Sequence, residues 1–229
     1  MELQHVNLFF QLVAFLFAIS IHESAHAWMA SRCGDPTARM LGRITLNPLK
    51  HIDLWGTIVI PAIALFTGFP MIGWAKPTPV NPRNFRQPVR DDILTSLAGP
   101  ASNFLCVLLT VAALGLLAQT SAAAHMVVHI TARSFGTMDP GYGGGITPVA
   151  LMLYQLMFIS ILLAIFNLIP VPPLDGSHVL RHFLRGEALR IYDRVGTIGL
   201  ILLLFFGGRL LGALMFPVVR FFNDILARI

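Results

Sequence analysis

The chain has 229 residues, of which 55% are hydrophobic and only 12% are charged. Soluble domains carry about 25% charged residues, so this composition excludes a soluble enzyme and predicts one membrane domain over residues 1–229. The formal net charge of +5 is spread over short loops, and no basic patch is interleaved with aromatic residues, which excludes nucleic acid as a partner.

Five apolar stretches are candidate membrane segments, because a helix needs about 20 apolar residues to cross a bilayer. They lie at roughly 6–29, 54–72, 93–118, 149–170 and 195–228. The last stretch is long enough for two short spans broken near Gly207-Gly208. The sequence therefore predicts an all-α polytopic membrane protein with about five to six transmembrane segments. Its core would cover about 6–180, and C-terminal helices would cover about 190–228.

The loops between these stretches differ in charge. Residues 31–52, 76–92 and 177–194 each carry four Lys or Arg, whereas 119–148 carries one. The positive-inside rule places the three basic loops in the cytoplasm and the loop containing Gly141–Gly145 outside. We therefore expect a multi-pass protein of the inner cell membrane.

The stretch 54–72 does not fit this topology as a single span, because the loops before and after it are both predicted to be cytoplasmic. It is marginal in length and is interrupted by glycine and proline. We interpret it as a re-entrant or hairpin element buried against other helices, where irregular backbone is tolerated at membrane depth. An ordinary span with a weak charge rule is the alternative. Residues Met71–Val80 contain two prolines and are predicted to form an edge strand or an extended loop at the membrane surface.

The motif His22-Glu23-Ser24-Ala25-His26 lies inside the first apolar stretch. Histidines at i and i+4 share one face of a helix, so both imidazoles can bind a single metal ion. Glu23 is suitably placed to act as a general base toward water. Ionisable groups within a membrane segment are costly, which favours a functional site. The alternative is that these are polar residues lining a helix interface.

A catalytic zinc site usually has three protein ligands. Asp175 follows a proline-broken helix end and precedes Gly176, so we expect unwound chain there, at the same depth as the two histidines. Among the alternatives, His178 and His182 are predicted to face water on an interfacial helix, and His125 and His129 to lie on the outer surface. His51 and Asp53 are loop residues that could also reach the site.

Three motifs in this order resemble the site-2 protease family of intramembrane zinc metalloproteases, over about residues 10–180. They are His22 to His26, Gly99-Pro100-Ala101-Ser102-Asn103, and Asn167 through Leu174-Asp175-Gly176. The resemblance implies that His22, His26 and Asp175 bind one Zn²⁺ per chain and that Glu23 is the catalytic acid and base.

The resemblance also implies that Asn103 and Asn167 lie near the substrate or polarise its carbonyl. Alternatively, Asn103 satisfies neighbouring backbone and Asn167 caps the broken helix. The segment containing Gly73, Trp74 and Ala75 looks like the substrate edge of compact bacterial members, which lack a PDZ-like or CBS-like insert.

These observations predict hydrolysis of peptide bonds within or near the transmembrane segment of a single-span membrane protein. The active site would lie in the bilayer toward the cytoplasmic side. An intramembrane zinc transporter and a non-catalytic membrane-substrate binder are the alternatives. The identity of the substrate and the oligomeric state do not follow from the sequence.

Overall fold

A computed structural model describes residues 3–60, 74–137 and 144–229. No strand occurs in these three ranges, and the predicted all-α class is confirmed. The helices are α1 (Leu3–Cys33), α2 (Thr37–Met40), α3 (Pro88–Ala118), α4 (Ala122–Arg133), α5 (Ile146–Leu168), α6 (Asp175–Arg181), α7 (Gly186–Phe206) and α8 (Gly208–Leu226). Single helical turns lie at Pro48–Lys50, Leu54–Val59 and Pro82–Asn84.

Fewer helices can cross a membrane than the five or six predicted. In the described ranges α1, α3 and α5 are long and apolar enough, and α7 with α8 could form a fourth span. The break between α7 and α8 falls at Gly207, as predicted, but it bends the pair by 67°. Most of the predicted segment 54–72 lies outside the described residues.

Small side chains allow α1 to pack closely against α3 and α5. Ala14, Ala18, Ala27 and Ala30 have no exposed surface. In a bilayer, such residues let helix backbones approach and gain van der Waals contact, because lipid is as apolar as the side chains it replaces. Helix α1 therefore lies in van der Waals contact with the two other long helices along most of its length.

An apolar cluster joins α3, α5 and α8 away from the polar end of the bundle. It includes Val107 and Leu114 of α3, Leu151 and Met157 of α5, and Val219 of α8, all nearly or fully buried. These side chains pack against one another and fix the relative positions of the helices. The polar residues of α1 and α3 are thereby held together at the other end.

The connection from α1 to α3 starts and finishes at the same end of the bundle. The Arg86 amide donates to the Cys33 carbonyl over 3.1 Å. The buried Asp35 carboxylate accepts hydrogen bonds from the Asn81 amide at 2.7 Å and the Asn84 side chain at 2.8 Å. Burial alone would raise the pKa of Asp35, but these donors lower it, so the carboxylate stays charged. The chain thus returns at α3 to the end of the bundle where α1 finishes, and the re-entrant interpretation of 54–72 stays a prediction.

This geometry gives a topology prediction. Epitope tags inserted after Lys50 and after Pro88 should both be accessible from the cytoplasm, and a tag near Gly143 should be accessible only from outside. Protease protection in oriented membrane vesicles measures this, with metal content as a check that each tagged protein is folded. Tags at 50 and 88 on opposite sides would contradict both the charge rule and the common end of α1 and α3.

Candidate metal centre

Helix α1 places two histidine side chains together at its buried, site-facing side. His22 and His26 are separated by one turn, and their Nε2 atoms lie 3.0 Å apart. Both side chains are nearly excluded from solvent. Two neutral imidazoles in this arrangement direct two lone pairs toward one point, which is the geometry expected for a shared cation.

Asp175 completes the group from a different helix. Its Oδ2 lies 3.2 Å from His22 Nε2, and its Oδ1 lies 3.4 Å from His26 Nε2. Zinc bonds of about 2.0–2.1 Å in a tetrahedral arrangement place neighbouring ligand atoms about 3.3 Å apart. The three side chains therefore fit one zinc ion. Among the His, Cys, Asp and Glu residues that the structure describes, only these three lie close enough together to share a metal ion.

The chain at Asp175 differs from the expectation. Residues 169–174 form the non-helical link after α5, and Asp175 itself is the first residue of α6. The predicted unwound chain at Asp175-Gly176 is therefore wrong by a few residues. Three prolines at 170, 172 and 173 prevent helix before Leu174, and the helix resumes directly after them.

The outer nitrogen of each histidine has a partner that orients the ring. His26 Nδ1–H donates to the Thr95 carbonyl over 2.7 Å, which leaves Nε2 as the ligand atom. His22 Nδ1 lies 3.2 Å from the amide of the fully buried Asn103. Asn103 Oδ1 has no hydrogen-bond partner among the described residues. With the side-chain amide of Asn103 rotated, this oxygen would accept the proton of His22 Nδ1. Asn103 thus lies behind His22, and its predicted role toward the substrate stays a prediction.

Two glycines of the sequence motifs make these contacts possible. A Cβ atom at Gly99 of α3 would lie 2.3 Å from His26 Nε2 and 2.7 Å from His22 Nε2. A Cβ atom at Gly176 would lie 2.2 Å from the Leu168 carbonyl oxygen. No real side chain fits at such distances, so both positions require glycine. Both glycines belong to the motifs named above, but no local pattern predicts these contacts, because each joins residues that are distant in sequence or lie across a break between helices.

Glu23, which follows His22 directly, contacts the segment before α3. Its Oε2 accepts a hydrogen bond from the Thr78 amide over 2.8 Å, and Thr78 Oγ1 donates to the Glu23 carbonyl over 3.0 Å. One carboxylate oxygen is therefore fixed by the backbone. The candidate general base is held at a defined position between α1 and this segment.

Residues 74–78 have the backbone pattern of an extended chain. The Trp74 amide donates to the Gly56 carbonyl, and the Lys76 amide donates to the His51 carbonyl. The Thr78 amide donates to the Glu23 carboxylate. This alternation has the period of two typical of a strand, although no strand is assigned in the described ranges. Ala75 is buried, while Trp74 is half exposed. Gly73, the third predicted edge residue, lies outside the described residues.

Asn167 bonds to its own helix. Its Nδ2 donates to the Leu163 carbonyl, four residues earlier, over 3.0 Å. This contact agrees with the alternative given above, in which the Asn167 side chain hydrogen-bonds to backbone groups at the end of α5. A role for Asn167 toward the substrate stays a prediction.

The other candidate ligands lie apart from the centre. His51 is buried, with Nε2 2.9 Å from the Thr45 carbonyl, and Asp53 accepts from the amides that begin the turn Leu54–Val59. His125 and His129 stack on each other on α4, with ring centroids 6.2 Å apart.

His178 and His182 were expected to face water. Both contact Asp92, and His178 is still about half exposed, whereas His182 is mostly buried. Sequence periodicity could not identify this partner, because Asp92 lies on another helix.

Comparison with known proteins agrees with this centre. The profile of peptidase family M50 matches residues 10–206. The provisionally named zinc metalloprotease YwhC of Bacillus subtilis is 36% identical over 169 residues, which are 74% of this chain and 66% of that protein.

Proteins named Rip2, with the same provisional description, are also similar. That of Mycolicibacterium smegmatis is 30% identical over 192 residues, covering 82% of this chain and 62% of its own length. That of Mycobacterium tuberculosis strain H37Rv is 26% identical over 226 residues, covering 97% and 76%.

No solved structure matches the chain. The chain spans just under two thirds of the length of YwhC and of the M. smegmatis protein. The family match nevertheless covers most of the chain and includes all three candidate ligands. The protein belongs to peptidase family M50, the site-2 protease family.

Proposed function

We propose that this protein is an intramembrane zinc metalloprotease that cleaves single-span membrane proteins within or near their transmembrane segments. The observation that carries the proposal is the convergence of His22, His26 and Asp175, beside Glu23, at the end of a helix long enough to span the bilayer. The basic loops around this end favour an inner-membrane protein with its active site toward the cytoplasm.

The roles of the residues follow from their contacts. His22, His26 and Asp175 would hold zinc, which when bound polarises the scissile carbonyl and lowers the pKa of water. Glu23 would take the proton of the attacking water through its free oxygen and later return it to the leaving amine. The Thr78 amide keeps the other Glu23 oxygen in place during both transfers. Asn103 and Thr95 keep the two imidazoles oriented.

The substrate must present an accessible peptide bond. A transmembrane helix hides its carbonyls in hydrogen bonds to the residue four positions later, so it has to unwind before attack. The extended segment Trp74–Thr78 contacts Glu23 through the amide of Thr78. The Ala75 amide has no hydrogen-bond partner among the described residues. Addition of the unwound substrate to this segment as a further strand would bring it beside the catalytic residues.

Metal analysis of the protein purified in detergent tests this proposal together with cleavage of a panel of single-span substrates. We expect about one zinc per chain and peptide fragments as products. A chelator should abolish cleavage, and added zinc should restore it.

Alanine substitution of each ligand provides a second arm of the experiment. His22→Ala, His26→Ala and Asp175→Ala should each lose most of the zinc, because two protein ligands hold zinc far more weakly than three. His125→Ala, at an exposed position of α4, is the control and should keep metal and activity. Full zinc and activity in Asp175→Ala, with loss of both in His178→Ala, would show that the third ligand is wrongly assigned.

A further inference from the structure

A second polar cluster lies beside the metal centre, between the start of α3 and helix α6. The Asp92 carboxylate is 2.8 Å from His182 Nε2 and 3.4 Å from His178 Nδ1. The Asp92 and His182 side chains are mostly buried, at 17% and 24% exposure, and His178 is about half exposed. One carboxylate of α3 thus contacts both His178 of α6 and His182, the residue after this helix.

The cluster has the geometry of an ion pair rather than of a metal site. Within the described ranges, only His22, His26 and Asp175 bring three ligand atoms within 4.8 Å of one another. The hydrogen bond to Asp92 raises the pKa of His178, so the charged form of this histidine is favoured. Partly buried, charge-assisted hydrogen bonds of this kind are stronger than exposed ion pairs.

The positions of these residues connect the cluster to the metal centre. Asp175 and His178 lie at i and i+3 on one face of α6, and His182, at i+7, is the residue directly after the helix. Asp92 lies one turn before Thr95, whose carbonyl orients His26. The start of α3 therefore contacts the ring of His26 through Thr95 and the helix that carries Asp175 through Asp92.

We propose that Asp92 is a positioning residue, which through His178 and His182 holds α6 against α3 so that Asp175 reaches His22 and His26. The proposal rests on the metal centre assigned above. Helix α6 has only seven residues, and such a short helix depends on tertiary contacts for its position. Without Asp92, the helix would keep its link to α5 but lose its polar anchor on α3.

The substitution Asp92→Asn tests the proposal. It keeps the size of the side chain and removes the charge that binds both histidines. We expect zinc affinity, measured by competition with a chelator, to fall about 10–100-fold, the range typical of residues that support metal ligands. In the metal-free protein, hydrogen–deuterium exchange of the amides of residues 176–183 should become faster. His182→Leu removes the shorter hydrogen bond from the α6 side and should act in the same direction.

A matched control exists on the same helix. Arg181 of α6 pairs with Asp193 at 2.9 Å, but both side chains are about half exposed. Exposed pairs contribute little, so Asp193→Asn should leave zinc affinity and exchange nearly unchanged. An equal effect of Asp193→Asn would mean that any loss of contact to α6 suffices, and it would overturn a specific role for Asp92.

Two further results would overturn the proposal. One is unchanged exchange and zinc affinity in Asp92→Asn. The other is two zinc ions per wild-type chain and one in Asp92→Asn, which would make the cluster a second metal site. Exchange in the metal-free protein tests the anchor even if the wild type binds no zinc, so failure of the proposed function and failure of this inference are distinguishable.

Discussion

Gly99→Ala should eliminate zinc binding and cleavage while leaving the helices intact. The added methyl group would lie 2.3 Å from His26 Nε2 and 2.6 Å from His22 Cε1. These atoms belong to rings that α1 and the contacts of Thr95 and Asn103 hold in place, so they cannot move aside without losing the ligand geometry. Alanine also favours helix over glycine by about 1 kcal/mol, so α3 itself should not be weakened.

Gly115→Ala is the matched control in the same helix. Its Cβ would contact only the end of the Ile229 side chain, at 3.2 Å, which can adjust. Metal analysis, circular dichroism and cleavage of a single-span substrate should be compared for the two variants. Normal zinc content in Gly99→Ala would show that α1 and α3 are farther apart than the structure places them.

The sequence predicted those parts of the centre that depend on local spacing or on charge. His22 and His26 share a face because of helical periodicity alone. Asp175 was expected at the same depth because basic loops placed the ends of two apolar stretches on one side. Neither inference required knowledge of how the helices pack, and the structure brings these residues to within 3.4 Å of one another.

The contacts that support the ligands could not be predicted in this way. Thr95 contacts a histidine 69 positions away, Asn103 one 81 positions away, and Thr78 a glutamate 55 positions away. Such pairs have no common period and no fixed spacing. The contacts of Thr95 and Asn103 depend on how closely α1 and α3 pack, and Gly99 permits this close approach. The pairing of Asp92 with His178 and His182 depends instead on the packing of α3 against α6.

The contact of Glu23 with Thr78 bears on the choice between a protease and a transporter. A transporter could use two histidines and an aspartate as a zinc site, but it has no use for a fixed carboxylate adjacent to the first ligand. A general base needs a fixed position, because proton transfer requires hydrogen-bond distance to the reacting water. The backbone amide of Thr78 provides this constraint.

Glu23→Gln should separate these functions. Glutamine has the same size, and its amide oxygen can still accept the Thr78 hydrogen bond, but it cannot take a proton from water. Zinc should therefore stay bound while hydrolysis falls by roughly 10²–10⁴-fold, as is typical of a lost general base. Because the metal and the size of the side chain are unchanged, the variant should also retain uncleaved substrate in pull-down experiments.

The measurement is the rate of fragment formation at equal zinc content for wild type, Glu23→Gln and a control. Glu187→Gln is suitable as the control, since Glu187 is exposed and, within the described ranges, forms an ion pair only with Arg190 on α7. It should cleave at the wild-type rate. A transporter would keep zinc flux in proteoliposomes after Glu23→Gln, whereas a protease loses turnover with its metal in place. Wild-type cleavage by Glu23→Gln, with peptide fragments verified by mass, would contradict the assignment of Glu23 as the catalytic base.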